Sequence, residues 1–152
     1  MDVSFVARVP APASEVREFV ADLRNLPKWD STAKLVSRVG ADESGVYDVT
    51  FKLSRSTPQS IVRYTIKNGQ NNTLIMDSKG AHVETHERVT FEALKQNETT
   101  VVWEAYIKFK GVAACFAPCL GNIIRHSAER AQRGLVQYFI KKQKQANRKI
   151  NV

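Results

Sequence analysis

At 152 residues, 43% hydrophobic and 25% charged, the chain has the composition of one ordinary folded domain, long enough to bury a single sizeable core. No run of about 18 apolar residues exists, which excludes a membrane-spanning helix, and two cysteines do not make a disulfide framework. The net charge of +8 is local: residues 125–152 hold eight Lys/Arg against the single acid Glu129, or +7, and the other 124 residues carry +1.

The chain opens with "VSFVARV", in which Val3, Phe5, Ala7 and Val9 alternate onto one face, the pattern of a strand and not of a secretory signal. With no leader pattern and reduced cysteines, the expected location is cytoplasmic. "PAPASEVREFVADLRNLPKW" stops that strand and places Val16, Phe19, Val20 and Leu23 at helical spacing, a short helix ending before Pro27. Strand-like segments follow at 33–39, 46–53, 60–66, 73–79, 82–94 and 100–109, separated by turn residues such as "KNGQNN". Their period of 2 is that of an antiparallel sheet with one wet face. From Pro118 the period changes: Leu120, Ile124, Ser127, Ala131, Leu135 and Tyr138 mark a helix of roughly 25 residues. The predicted order is strand, short helix, about six strands, long helix. The sheet's apolar face needs a cover, and only the last helix is long enough.

This order, with the "AP…EV…F…D…LPKW" pattern near the start, resembles the START-like (SRPBCC, helix-grip) superfamily, most closely its polyketide cyclase/dehydrase branch. The resemblance covers the whole chain, 1–152, as one domain. It implies an α+β helix-grip fold of about seven antiparallel strands around a C-terminal helix, enclosing an apolar cavity. It further implies a small hydrophobic ligand such as a lipid, polyketide or isoprenoid, carried or sensed in some members and cyclised or dehydrated in others. The fold does not choose between those roles, and a structural subunit with a filled cavity is a third reading.

Strand parity then selects residues. In "HVETH", His82, Glu84 and His86 share a face opposite Val83, Val89, Phe91 and Ala93, so this metal-like triplet belongs on the wet side. Glu87 shares the inward face, where a carboxylate must be paired or held protonated. It is the candidate general acid/base, with Tyr64 as its helper. The predicted ligand-lining set is Trp29, Phe51, Leu53, Tyr64, Met76, Val83, Thr85, Glu87, Trp103, Ala105 and Ile107, with Phe116, Ile124, Ala128, Ala131 and Leu135 from the C-terminal segment. The small residues Ala128, Ala131 and Gly134 remove volume from the helix face that meets the sheet, as a cavity requires.

"KGVAACFAPCLGN" holds both cysteines, Cys115 and Cys119, four residues apart with only His126 nearby, too few ligands for zinc. The cysteines read as buried small hydrophobes, and the stretch as a wall or lid of the cavity. No cofactor or metal site, phosphate-binding glycine loop or Ser/His/Asp arrangement is assembled. Arg130, Arg133, Lys141, Lys144 and Arg148 share a helix face suited to an anionic membrane or a partner. Nucleic acid ranks last, because that face has no aromatic platform. Binding is preferred over catalysis on one ground: a single inward ionisable group, where enolisation and dehydration need an acid and a base.

Overall fold

The computed structural model describes residues 1–41 and 44–151. Seven strands form one antiparallel sheet: β1 (Asp2–Val9), β2 (Ala33–Arg38), β3 (Val46–Phe51), β4 (Ser60–Asn68), β5 (Thr73–Gly80), β6 (Val83–Lys95) and β7 (Glu98–Phe109). Their order is β1-β7-β6-β5-β4-β3-β2, so β2 to β7 form a meander and β1 returns beside β7. Short turns explain the meander, since two antiparallel strands need only a few connecting residues. The register stacks the inward residues in rows: Ile66 opposite Met76, Met76 opposite Glu87, Glu87 opposite Ala105, Ala105 opposite Val3.

Between β1 and β2 lie α1 (Ala13–Ala21) and a 3-10 segment, Leu23–Lys28. Thr99 Oγ1 donates to the Ala11 carbonyl at 2.7 Å, pinning the proline-flanked corner before α1. Asp22 starts the 3-10 segment by accepting from the Arg24 amide at 3.1 Å, an Asx cap. After β7 come one helical turn, α2 (Val112–Cys115), and the long α3 (Ala117–Ile150). The core is densest under the C-terminal half of α3, where Leu135, Phe139, Val16 and Val20 are at most 1% exposed. Phe139 meets the Phe19 ring edge-on, with centroids 5.1 Å apart. Under the N-terminal half, Ile123, Ile124 and Ala128 remain only half-buried, so the fit loosens there.

The sheet and the gripping helix are as the sequence predicts, and three details are corrected. First, α3 has 34 residues, not about 25, because its end continues through 141–150 with every residue exposed. That end has no apolar stripe to read. Second, both cysteines are exposed. Their segment ends β7 and forms α2 over the sheet's rim, where the buried face of α3 has not yet begun. Third, Gly134 opens no cavity: its site faces the Trp29 carbonyl so closely that a Cβ there would lie 2.0 Å from the oxygen.

The exposed end of α3 makes one testable prediction. Removing residues 141–152 deletes no buried side chain among those described and one partly exposed ion pair, Lys142 with Glu15 at 2.7 Å. The expected loss is about 0–1 kcal/mol, read as a thermal melt within a few degrees of the full chain. A collapse of the transition would show that this end is part of the cooperative fold.

Candidate functional site

The most concentrated buried polarity lies on the inner face of β5, β6 and β7. Ser78 and Thr85 are opposite each other in register and share a hydrogen bond of 2.7 Å. Thr85 Oγ1 donates to Glu87 Oε1 at 2.8 Å, and Trp103 Nε1 donates to Glu87 Oε2 at 2.8 Å. Each carboxylate oxygen therefore has its own donor, and the group is fixed in direction. Tyr64, opposite Ser78 on β4, also engages Glu87 through its hydroxyl. The side chains around this chain are apolar: Met76 is 1% exposed, and Trp103 is stacked on Phe5 with centroids 5.5 Å apart.

Burial pushes the Glu87 carboxyl above its ordinary pKa; the Thr85, Trp103 and Tyr64 hydrogen bonds oppose this, and the neighbouring Asp30 charge reinforces it. The Tyr64 phenol is pushed well above its ordinary range, chiefly by burial and then by the Glu87 charge, so it acts as a neutral donor. Asp30 is the residue that strand parity missed. Its Oδ1 accepts from the Thr32 amide at 2.9 Å and the Thr32 hydroxyl at 2.7 Å, the short-range turn that Asp-Ser-Thr advertises. Its burial was not legible, since the residue belongs to no strand. Burial raises its pKa too, against the Thr32 bonds and the Arg130 and Lys34 charges. Beside it, the Trp29 ring lies 5.7 Å from Trp103, and Trp29 Nε1 is buried with no hydrogen-bond partner among the described residues.

Trp29, Tyr64, Met76, Thr85, Glu87 and Trp103 thus come together. Val83, Ala105 and Ile107 continue the same faces of β6 and β7, and Phe51 packs near Tyr64 at 6.2 Å. From α3, Ile124 and Ala128 are half-buried, and Ala131 and Leu135 are buried in the core. Two predicted residues stand apart. Phe116 is 58% exposed at the α2–α3 junction, because the one-turn α2 leaves it outside the sheet's concavity. Leu53 follows the end of β3 and lines a surface groove. The histidine triplet is outward as predicted: His86 Nδ1 pairs with Asp77 at 2.6 Å and Glu84 with Lys110 at 3.0 Å.

Two grooves flank the N-terminal half of α3. One, about 420 Å³, lies between Met1, the end of β7 and residues 114–125. The other, about 740 Å³, lies between residues 31–34, the segment 52–55 and the α3 face from Ile123 to Arg133. Arg130 and Arg133 belong to this second groove. Lys141, Lys144 and Arg148 are on the exposed end of the helix, beyond that groove.

An antiparallel sheet closed by one long helix, with a polar cluster set into its apolar inner face, defines a helix-grip domain of the START-like class. Residues 1–146 match the family described as polyketide cyclase/dehydrase and lipid transport, and the chain belongs to that family. No curated protein matches the sequence. Among solved structures, the chain is similar to a START superfamily protein from Mycobacterium smegmatis, with 14% identity, a TM-score of 0.78, and 92% of this chain and 97% of that one covered. It is equally similar in fold to the Zhui aromatase/cyclase from a Streptomyces species, with 11% identity, a TM-score of 0.78 and coverage of 93% and 94%. A conserved protein from Geobacillus kaustophilus follows at 13% identity and a TM-score of 0.73, covering 93% and 96%. At such identities the likeness concerns the fold.

Proposed function

We propose that the protein binds a small hydrophobic molecule bearing a hydrogen-bonding oxygen, seated between the sheet and the N-terminal half of α3 with that oxygen at the Glu87 cluster. The observation that carries this reading is the Trp29 indole N–H, buried without a partner beside Trp103. Such a group costs about 1–3 kcal/mol unless something accepts its hydrogen bond, and a ligand oxygen is a fitting acceptor. Glu87 adds carboxylate lone pairs at the same wall, with the Tyr64 hydroxyl hydrogen-bonded to it, the few placed polar groups typical of an apolar pocket. Native mass spectrometry of the purified protein, beside its denatured mass, should show a co-purifying hydrophobic molecule recoverable into organic solvent. Trp29→Phe should bind that molecule about five-fold more weakly, the equivalent of one neutral hydrogen bond. Bare protein that also ignores a hydrophobic fluorescent probe would overturn the reading and favour a filled core with an assembly role.

A second reading is favoured by Asp30. The preference for binding over catalysis rested on there being one inward ionisable group, and Asp30 supplies another carboxyl whose charge acts on Glu87. Two carboxyls of raised proton affinity beside a neutral phenol are the parts of a general acid/base pair for cyclisation or dehydration. Conversion of the recovered molecule by wild type, with binding kept and conversion lost in Glu87→Gln, would establish the enzyme.

A further inference from the structure

The larger groove has a charge pattern that the buried cluster does not explain. Five cations converge on it from three parts of the chain: Lys34 from β2, Lys52 and Arg55 from the segment after β3, and Arg130 and Arg133 from α3. The one carboxylate in its lining, Glu129, faces His126 at 3.7 Å. None of the five cations has an ion-pair partner among the described residues. Lys34 Nζ donates to the Ser31 carbonyl at 2.6 Å and Arg130 to Ser127 Oγ at 3.3 Å, both neutral acceptors. Five cations against Glu129 and the neighbouring Asp30, on which the Arg130 and Lys34 charges act, leave this concavity with an excess of positive charge, and an anion there relieves the repulsion among them.

The groove is not wholly polar, since Leu53 and Ile123 are in its lining. It also adjoins the buried cluster: Thr32 lines it and holds Asp30, whose charge acts on Glu87 and Tyr64. We propose that this groove takes the anionic head, a phosphate or carboxylate, of an amphipathic ligand whose apolar part lies against α3. The assignment rests on the binding reading above and narrows its ligand class. Arg55, Arg130 and Arg133 can present paired N–H groups to such a head, and Lys34 and Lys52 add point charges.

The test uses a matched pair of probes, dodecyl phosphate and dodecanol, titrated against the full chain by tryptophan fluorescence and counted by native mass spectrometry. The phosphate should bind at least about ten-fold more tightly at low salt, an advantage that added salt should erode. Lys52→Gln with Arg55→Gln, two changes on a surface segment, should remove most of that advantage and leave dodecanol binding and the melting temperature unchanged. Equal affinity for the two probes overturns the anionic-head assignment and leaves the hydrophobic-pocket reading standing. Binding of neither probe overturns both. Inorganic phosphate that displaces dodecyl phosphate at equal concentration, and is itself lost in the double variant, makes the groove a free-anion site and overturns the amphiphile.

Discussion

Gly134→Ala should destabilise the protein by about 3 kcal/mol, the upper end of the range for forcing atoms into a packed interface. In an open helix the same change would stabilise by about 1 kcal/mol, because glycine is the poorer helix former, so the sign of the result is diagnostic. The new Cβ would lie 2.0 Å from the Trp29 carbonyl oxygen, 3.0 Å from its carbonyl carbon and 3.4 Å from its Cα. All three are backbone atoms, so no rotamer change can yield; either α3 or the chain at Trp29 must move. Thermal melts would read the loss as a fall of about 10 °C in Tm for a domain of this size. Tryptophan fluorescence should change with it, since Trp29 packs against Trp103. Gly121→Ala is the control. Its Cβ would meet only the Met1 Sδ, at 2.9 Å, the far end of a flexible side chain, and the cost should stay within about 0.5 kcal/mol. Equal tolerance at both positions would mean that α3 does not rest on the Trp29 backbone.

Gly134 also shows where reading from residues stops. Its smallness was visible, and smallness on a buried helix face fits a cavity as well as a close backbone approach; only the position of Trp29 decides. The strands were legible because a half-wet sheet imposes a period of 2, and that period alone brought Glu87, Thr85 and Val83 to the inner face. The same rule had no hold on Asp30, which lies in a turn where direction comes from the Thr32 hydrogen bonds. It also gave no warning about Phe116 or the cysteines. An apolar stretch reads as buried until the fold shows that its one-turn helix sits at the rim. The end of α3 escaped for the opposite reason: residues 141–150 form helix with every side chain exposed and no apolar period to mark it. At about 3.6 residues per turn the basic residues share one side of α3, but only Arg130 and Arg133 line the second groove. Lys141 lies about 16 Å farther along the helix axis than Arg130, beyond the groove that Arg130 and Arg133 line.

Glu87→Gln should be neutral or stabilising above pH 7 and lose that advantage as the pH falls below the ordinary glutamate value of 4.5. The sign follows from burial. Glu87 holds its proton more tightly folded than unfolded, so the native state is penalised once the pH rises past the unfolded value and the carboxyl must ionise inside. Asp30 contributes with the same sign. Glutamine removes the charge and keeps the network: its Oε1 can accept from Trp103, and its amide can donate to Thr85, which turns its own proton to Ser78. Trp103→Phe is the converse experiment. It strips Glu87 Oε2 of its donor and should cost about 1–3 kcal/mol. Part of that cost should grow with pH, because the lost bond favoured the charged form. Chemical denaturation of both variants from pH 4 to pH 8 measures these slopes directly. A Glu87→Gln difference that stays flat across the range would mean that the carboxyl titrates as it does in the unfolded chain, and the case for Glu87 as a proton donor would fall with it. A difference that opens with pH would leave a carboxyl able to hold its proton toward neutrality beside a bound molecule, the condition that general acid chemistry demands and that a passive hydrogen-bond anchor does not need.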